Sequence, residues 1–242
     1  MKLPNPHIVE VSVKDRGLDN LKILHLSDLH IGKKVSQSSM YELVNICDTV
    51  ECDFVIITGD ILDTKVDNIV DKLMILNSIK KTVYYVSGNH DLFHGLEDLK
   101  QKLDNFIFMD NNYSTFEFAK TKIHIVGLPD RMAKFFSRKR ETQKLLDYAN
   151  GKENIIFLAH QPKDYKLAIQ AKSALFLCGH THGGQIFPFH YLVRLEQPFL
   201  DGVHYVKKMA IYVSRGMGTW GLPYRFKAPS EIAIVKLIAN DV

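Results

Sequence analysis

Apolar residues follow two rhythms along this chain. Short unbroken runs, Ile23-Leu24-His25-Leu26, Phe54-Val55-Ile56-Ile57, Val83-Tyr84-Tyr85-Val86, Ile155-Ile156-Phe157-Leu158 and Leu175-Phe176-Leu177, have the length and composition of buried strands. After the first run, Met40, Leu43, Val44, Cys47 and Val50 recur at spacings of three and four, which predicts a helix over 39–50 with serines before it to cap it. Ile69, Val70, Leu73 and Met74 predict a second helix over 66–79, and a short helix near 96–103 and a further one over 137–148 are expected. Further strands are expected at 7–13, 106–108, 113–118, 123–126, 210–213 and 232–237. The first part alternates strand and helix, whereas the second is richer in consecutive strands. That order predicts an α/β protein with two facing sheets flanked by helices. No linker or low-complexity stretch divides the chain, so residues 1–242 are expected to form one domain.

Composition changes this picture little. The chain has 242 residues, 46% hydrophobic and 24% charged, enough for a substantial core. A net charge of +4 allows attraction to phosphates or an anionic membrane but is too small to predict nucleic-acid binding. Cys47, Cys52 and Cys178 form neither an even disulfide set nor a zinc pattern, so a reducing, cytoplasmic setting is expected. Met1 to Asn5 lead directly into the first strand with no signal-peptide core, and no apolar run has the length of a membrane span.

The chemistry lies in five blocks, each placed after an apolar strand: Asp28-Leu29-His30, Gly59-Asp60, Gly88-Asn89-His90-Asp91, His160 and Gly179-His180-Thr181-His182. A lone Asp-x-His or Gly-Asp is most often a plain turn. Five complementary blocks at strand ends are a different matter, because loops there converge on one point while the sheet holds their bases. Asp28 and His30, two apart in extended backbone, would face the same side and grip one ion together. Asp60 has two oxygens and could bridge two cations. Asn89 adds a neutral oxygen, and His160, His180 and His182 add imidazole. This mixture of oxygens and nitrogens suits manganese, zinc or iron better than calcium or magnesium.

In order and across nearly the whole chain, these blocks resemble the calcineurin-like metallophosphoesterases. The tail, Gly179-His180-Thr181-His182-Gly183-Gly184-Gln185 followed by Ser214-Arg215-Gly216 and Trp220-Gly221-Leu222-Pro223, is similar to the branch of bacterial YkuE-like phosphoesterases, which includes relatives that hydrolyse a UDP-linked lipid A precursor. The resemblance implies a four-layer αββα sandwich and two divalent metal ions. Asp28, His30, Asp60 and His182 would hold one ion; Asp60, Asn89, His160 and His180 would hold the other. It further implies that His90 is an unligated catalytic imidazole and Asp91 its orienting carboxylate. The expected reaction is hydrolysis of a phosphomonoester, phosphodiester or pyrophosphate bond by a metal-bridging hydroxide. Two alternatives stand beside it: a UDP-2,3-diacylglucosamine pyrophosphohydrolase, and a non-catalytic metal-binding scaffold, whose sign would be missing ligands. None is missing. A nuclease would need an aromatic platform within a basic stripe, which the chain lacks.

Arg131 and Arg215 each follow a strand and are candidates for gripping substrate phosphate, with Gln185 beside the site. His94 is expected to line the cleft. His25, His124 and His190 are expected to be structural or exposed, and Cys178 to be packed. Arg131 to Arg140 and Ile186 to Val193 mix apolar with basic or aromatic residues, so they could contact a membrane surface or a lipid chain; the preferred expectation is a solvated helix and a core-packing strand.

Overall fold

Strands with both faces covered by protein read as unbroken apolar runs, and two sheets of this kind build the molecule. The computed structural model describes residues 3–240; Met1, Lys2, Asp241 and Val242, the ends of the expected domain, lie outside them. The first sheet has the order β1 (His7–Val13), β12 (Ala233–Ala239), β2 (Lys22–Leu26), β3 (Phe54–Ile57), β4 (Val83–Tyr85) and β5 (Ile107–Phe108). The second runs β10 (Gly202–Val206), β11 (Met209–Val213), β9 (Leu175–Cys178), β8 (Ile155–Leu158), β7 (Thr121–Gly127) and β6 (Asn112–Phe118). From β2 to β5 neighbours are parallel, as they are from β7 through β8 and β9 to β11.

The two-residue period of each strand sorts its side chains into layers. In β3, Phe54 and Ile56 join the core between the sheets, while Val55 and Ile57 pack under helices. In β8, Ile156 and Leu158 meet the facing sheet, and Ile155 and Phe157 meet the helices on the far side. The outer layers are α1 (Gln37–Thr49), α2 (Val70–Leu76) and α4 (Leu96–Lys102) on the first sheet, with α5 (Thr142–Ala149) and α6 (Tyr165–Gln170) on the second. The result is the αββα sandwich. Helix α1 begins at Ser36, whose side chain accepts from the Ser39 amide, and buries Met40, Leu43 and Cys47.

Departures from the sequence expectation have local causes. The helix expected over 66–79 is a 3-10 turn, Val66–Asn68, followed by α2, because Ile69 at φ −142° breaks the winding. The one expected over 137–148 starts only at Thr142; Ser137, with φ 54°, instead ends a 3-10 helix over Arg131–Phe136. Asn89–His94 forms α3, so the Gly-Asn-His-Asp block opens a helix rather than a bare turn. The core-packing strand expected over 186–193 is not there: His190–Glu196 forms a helix, α7, with no buried residue. No helix of the described residues is long and apolar enough to cross a membrane.

Candidate metal centre

All five blocks lie beyond the carboxyl ends of strands: Asp28 and His30 after β2, Asp60 after β3, Asn89 at the start of α3 behind β4, His160 after β8, and His180 with His182 after β9. Their loops are stitched together by main-chain bonds, including Asp28 N–H to the Gly59 carbonyl and Gly179 N–H to the His160 carbonyl, at 3.0 and 2.9 Å. Asp28 and His30 are not extended, contrary to the alternation argument. They have φ of 53° and 44°, and Asp60, His180 and His182 are left-handed as well, at 54°, 72° and 52°. Left-handed backbone is costly for such residues and persists only where the surroundings enforce it. Five of the seven candidate ligands are therefore aimed by strained backbone. Two glycines permit the close approach: a Cβ on Gly88 would sit 2.1 Å from Asp60 Oδ1, and one on Gly179 would sit 1.9 Å from Ser27 Oγ.

Each carboxylate uses one oxygen as an anchor and turns the other toward imidazole nitrogens. Asp28 Oδ2 accepts from Ser27 Oγ at 2.6 Å and from the His180 amide at 3.0 Å. Its Oδ1 faces His182 Nε2 at 3.2 Å and is buried without a hydrogen-bond partner. Asp60 Oδ1 accepts from the His90 amide at 2.8 Å, while its Oδ2 faces His160 Nε2 at 3.3 Å and His30 Nε2 at 3.6 Å. His160 Nδ1 donates to the Thr58 carbonyl at 2.6 Å, which points Nε2 at Asp60; against burial, Asp60 and Asp28 hold the pKa of the ring well above its ordinary value. Imidazole nitrogens face each other across 3.1 Å (His30 with His182) and 3.2 Å (His160 with His180).

Ligand atoms gather in three overlapping groups: Asp28, His30 and His182; His30, Asp60 and His90; Asp60, His160 and His180, each within 4.8 Å. Asp60 belongs to two of them. Asn89 Oδ1 is a second buried oxygen with no partner. Burial alone would raise Asp28, but His182, His160 and His30 outweigh it and hold the carboxyl well below its ordinary range. Asp60 is lowered against the same burial by His160 and His30. Burial, with His160 nearby, takes His180 down to about 4, so its imidazole is neutral at pH 7.

The two residues expected to do acid chemistry part company here. The half-buried ring of His90 lines the cleft with its Nδ1 3.8 Å from Asp63 Oδ1, and burial lowers its pKa. Asp91 does not orient that ring. Its Oδ2 accepts from the amides of Asp60 and Gly88 and from Tyr85 Oη, and its Oδ1 from the Leu62 amide, at 2.7–2.9 Å. Burial and the charge of Asp60 push Asp91 up to about 6, yet four donors keep it ionised at neutral pH. It clamps two loops together. Asp63 stands where an orienting carboxylate belongs, 3.7 Å from His30 Nδ1 as well; its signal in the sequence was its place three residues after Asp60.

The three candidate phosphate-binding residues are committed elsewhere. Arg131 pairs with buried Asp164 at 2.8 Å, together with Arg140 at 2.6 Å. Arg215 forks onto Glu231 at 3.0 and 2.7 Å. Gln185 lines the cleft, but its amide spans the backbone of Trp220 and Leu222. Arg225 was not anticipated: it donates to the carbonyls of Gly218 and Arg215 and lies 2.9 Å from His182 Nδ1. His94 is next to His90 but outside the cleft lining, with ring centroids 5.8 Å apart. His25 and His124 are structural, bonded to Thr58 and to Thr115 and Tyr148, and His190 packs on Phe187. Cys178 is buried and its thiol is pushed far up by burial.

The cleft has a volume of about 610 Å³. One wall is the polar cluster; the other is Ile186, Phe189, Leu192, Val193, Trp220 and Leu222.

Known proteins resemble this chain in sequence and in fold. The sequence pattern of the family described as calcineurin-like phosphoesterase matches residues 21–184. An uncharacterized metallophosphoesterase of Helicobacter pylori is 37% identical over 251 residues, covering 99% of this chain and 66% of the relative. This chain thus spans just under two thirds of that protein's length. The uncharacterized metallophosphoesterase YkuE of Bacillus subtilis is 29% identical, over 97% of this chain and 85% of its own. A solved dimetal phosphatase from Danio rerio superposes with a TM-score of 0.57 at 11% identity, over 82% of this chain and 88% of that one, a likeness of fold.

Proposed function

The chain belongs to the calcineurin-like phosphoesterase family, and we propose that it hydrolyses a phosphoester bond using two divalent cations held at the strand ends. One observation carries the reading: Asp28 Oδ1 and Asn89 Oδ1 are buried with no hydrogen-bond donor, amid facing imidazoles. A buried oxygen left bare costs several kcal/mol in the charged case, and a cation supplies the missing partner. The residues fit such ions. Asp28, His30, Asp60 and His182 would hold one, and Asp60, Asn89, His160 and His180 would hold the other. The donor mixture suits manganese, zinc or iron. When bound, the pair supplies Lewis-acid polarisation of the phosphoryl group and acidifies water.

The remaining chemistry belongs to the chain. Ser27 and the His180 amide hold Asp28 in one orientation, the His90 amide holds Asp60, and the Thr58 carbonyl fixes the His160 ring. His90 is the acid. Burial lowers its pKa, with Asp60 and Asp63 opposing that shift, and the negative charge of a bound phosphoester would further favour the protonated ring. As the P–O bond to the leaving group breaks, that proton passes to the departing oxygen.

The apolar second wall supports a phosphoester with an apolar portion, which includes UDP-linked diacylglucosamine, over a small polar metabolite. The test is to load the protein with manganese or zinc, measure bound metal, and assay bis(p-nitrophenyl) phosphate alongside a lipid phosphodiester. Two ions per chain with chelator-sensitive turnover are expected, faster on the lipid. Two ions without turnover on any phosphoester would favour the scaffold reading.

A further inference from the structure

Large apolar side chains left in water are scattered over most of this molecule, but one face collects them. Of seventeen such exposed residues among those described, five lie in 187–195 and four in 220–226. The two segments are one surface: Phe187 N–H donates to the Phe226 carbonyl, and Phe226 N–H to the Gln185 carbonyl. Helix α7 lies on it with Leu192 and Leu195 outward, Leu195 being 82% exposed. Trp220, Leu222 and Tyr224 stand beside them, about half exposed. A patch of this kind marks a docking site rather than an ordinary surface.

Charge identifies the occupant. Residues 186–200 and 215–230 contain four arginines and lysines and a single carboxylate, Glu196, which pairs with Lys163 at 2.6 Å. Arg215 and Arg225 are tied to Glu231 and to main-chain carbonyls. Arg194 and Lys227 remain at the rim, exposed and with no carboxylate partner among the described residues. The ammonium of exposed Lys227 sits 4.5 Å from the centroid of the Phe187 ring and 5.7 Å from that of Phe226, a cation set among the aromatic rings of this face. Lysine is depleted at protein–protein interfaces, whereas aromatic and aliphatic side chains mixed with lysine and arginine suit an anionic bilayer.

We propose that the face formed by α7 and residues 220–227 docks on an anionic lipid surface, with Leu195, Trp220 and Leu222 entering the apolar layer and Arg194 and Lys227 meeting lipid phosphates. The mouth of the cleft then opens at the bilayer, since Leu192, Trp220 and Leu222 belong to both. This goes beyond the hydrolysis proposed above and holds whichever phosphoester the cleft takes.

Vesicle flotation of the metal-loaded protein tests it, comparing phosphatidylcholine with an equal mixture of phosphatidylcholine and phosphatidylglycerol. Binding to the mixture, little binding to phosphatidylcholine alone, and release by salt are expected. Leu195→Asp should weaken binding by about tenfold or more, and Lys227→Gln by about fivefold, with thermal unfolding unchanged in both. Failure of the wild-type protein to float with anionic vesicles overturns the proposal, as does unaltered binding by both variants. So does a concentration-dependent dimer in sedimentation that Leu195→Asp abolishes without any vesicle binding, since the face would then be a self-interface.

Discussion

The two walls of the cleft are built on opposite plans. The polar wall hangs from β2, β3, β4, β8 and β9, in the middle of both sheets; of its seven candidate ligands, Asp28, His30, Asp60, His160 and His182 are buried, and main-chain bonds tie loop to loop. The apolar wall is a two-turn helix without a buried side chain and a loop rich in glycine, proline and aromatics. Groups that hold cations and aim a proton lose their effect when misplaced by an ångström, so they sit where packing leaves no freedom. A surface that accepts apolar matter tolerates movement and can lie at the edge. If this division is right, damage to the first wall should slow turnover of every substrate, and damage to the second should alter only which substrates bind.

The hardest break comes from Asp60→Ala. It removes the one carboxylate shared by two ligand groups, so both ions should be lost and the rate should fall by more than about 10⁴-fold on any phosphoester. Elemental analysis with paired kinetics measures this; two ions retained in the variant would refute the shared role. His90→Ala should keep the metal and lose about 10²- to 10⁴-fold with an alkyl leaving group. With p-nitrophenol as leaving group the loss should shrink, because that oxygen departs without a proton. The sign of the pH effect follows: the acid must be protonated, so wild-type activity on the alkyl ester should fall as pH rises through the His90 pKa, and the variant should lack that limb. Equal losses with both leaving groups would remove His90 from the acid role.

Asp63→Asn sharpens the same wall. It keeps the shape beside His90 and His30 but removes one of the two carboxylates, with Asp60, that favour a protonated His90, and about 10- to 100-fold in rate should be lost with metal retained. Asp91→Asn, by contrast, disturbs a clamp with four donors on it, so its main effect should be on thermal stability. A larger rate loss in Asp91→Asn than in Asp63→Asn, at unchanged stability, would restore Asp91 to the orienting role.

The polar wall was legible because its requirements are written as residue types. Gly-Asp alone reads as a turn, but five complementary blocks at strand ends, Gly-His-Thr-His among them, can be read together without knowing their contacts. What one sequence does not carry is which oxygen each carboxylate has to spare, or that Asp28 and His30 converge through left-handed backbone rather than through strand alternation. Those depend on partners far along the chain: the His180 amide on Asp28 and the His90 amide on Asp60. Arg131 and Arg215 misled for the same reason, since Asp164 and Glu231, their partners, are 33 and 16 residues away. The apolar wall was misread because Ile186 to Val193 has the composition of a buried strand. Only its position outside both sheets, with Pro188 in the turn before α7, makes it a surface helix.

The smallest expected effect tests whether the walls are separable at all, because one residue joins them. Gln185 follows directly on the turn carrying His182, has a left-handed φ of 49°, and is buried. Its Nε2 donates to the carbonyls of Trp220 and Leu222 at 2.9 and 3.2 Å, and its Oε1 accepts from the Trp220 amide at 3.0 Å. Gln185→Ala frees three main-chain groups on an exposed loop, where water replaces part of what is lost, at a net cost of about 1 kcal/mol per bond. The loop should then sample open positions and become sensitive to protease between Trp220 and Phe226, while the strand ends keep the ligands in place. For a lipid phosphodiester this predicts a KM raised by about tenfold at unchanged kcat, the mark of binding lost equally in ground and transition states. For bis(p-nitrophenyl) phosphate, which is too small to need the loop, neither constant should move. A fall in kcat common to both substrates would mean that Gln185 transmits strain to His182, and that the two walls work as one.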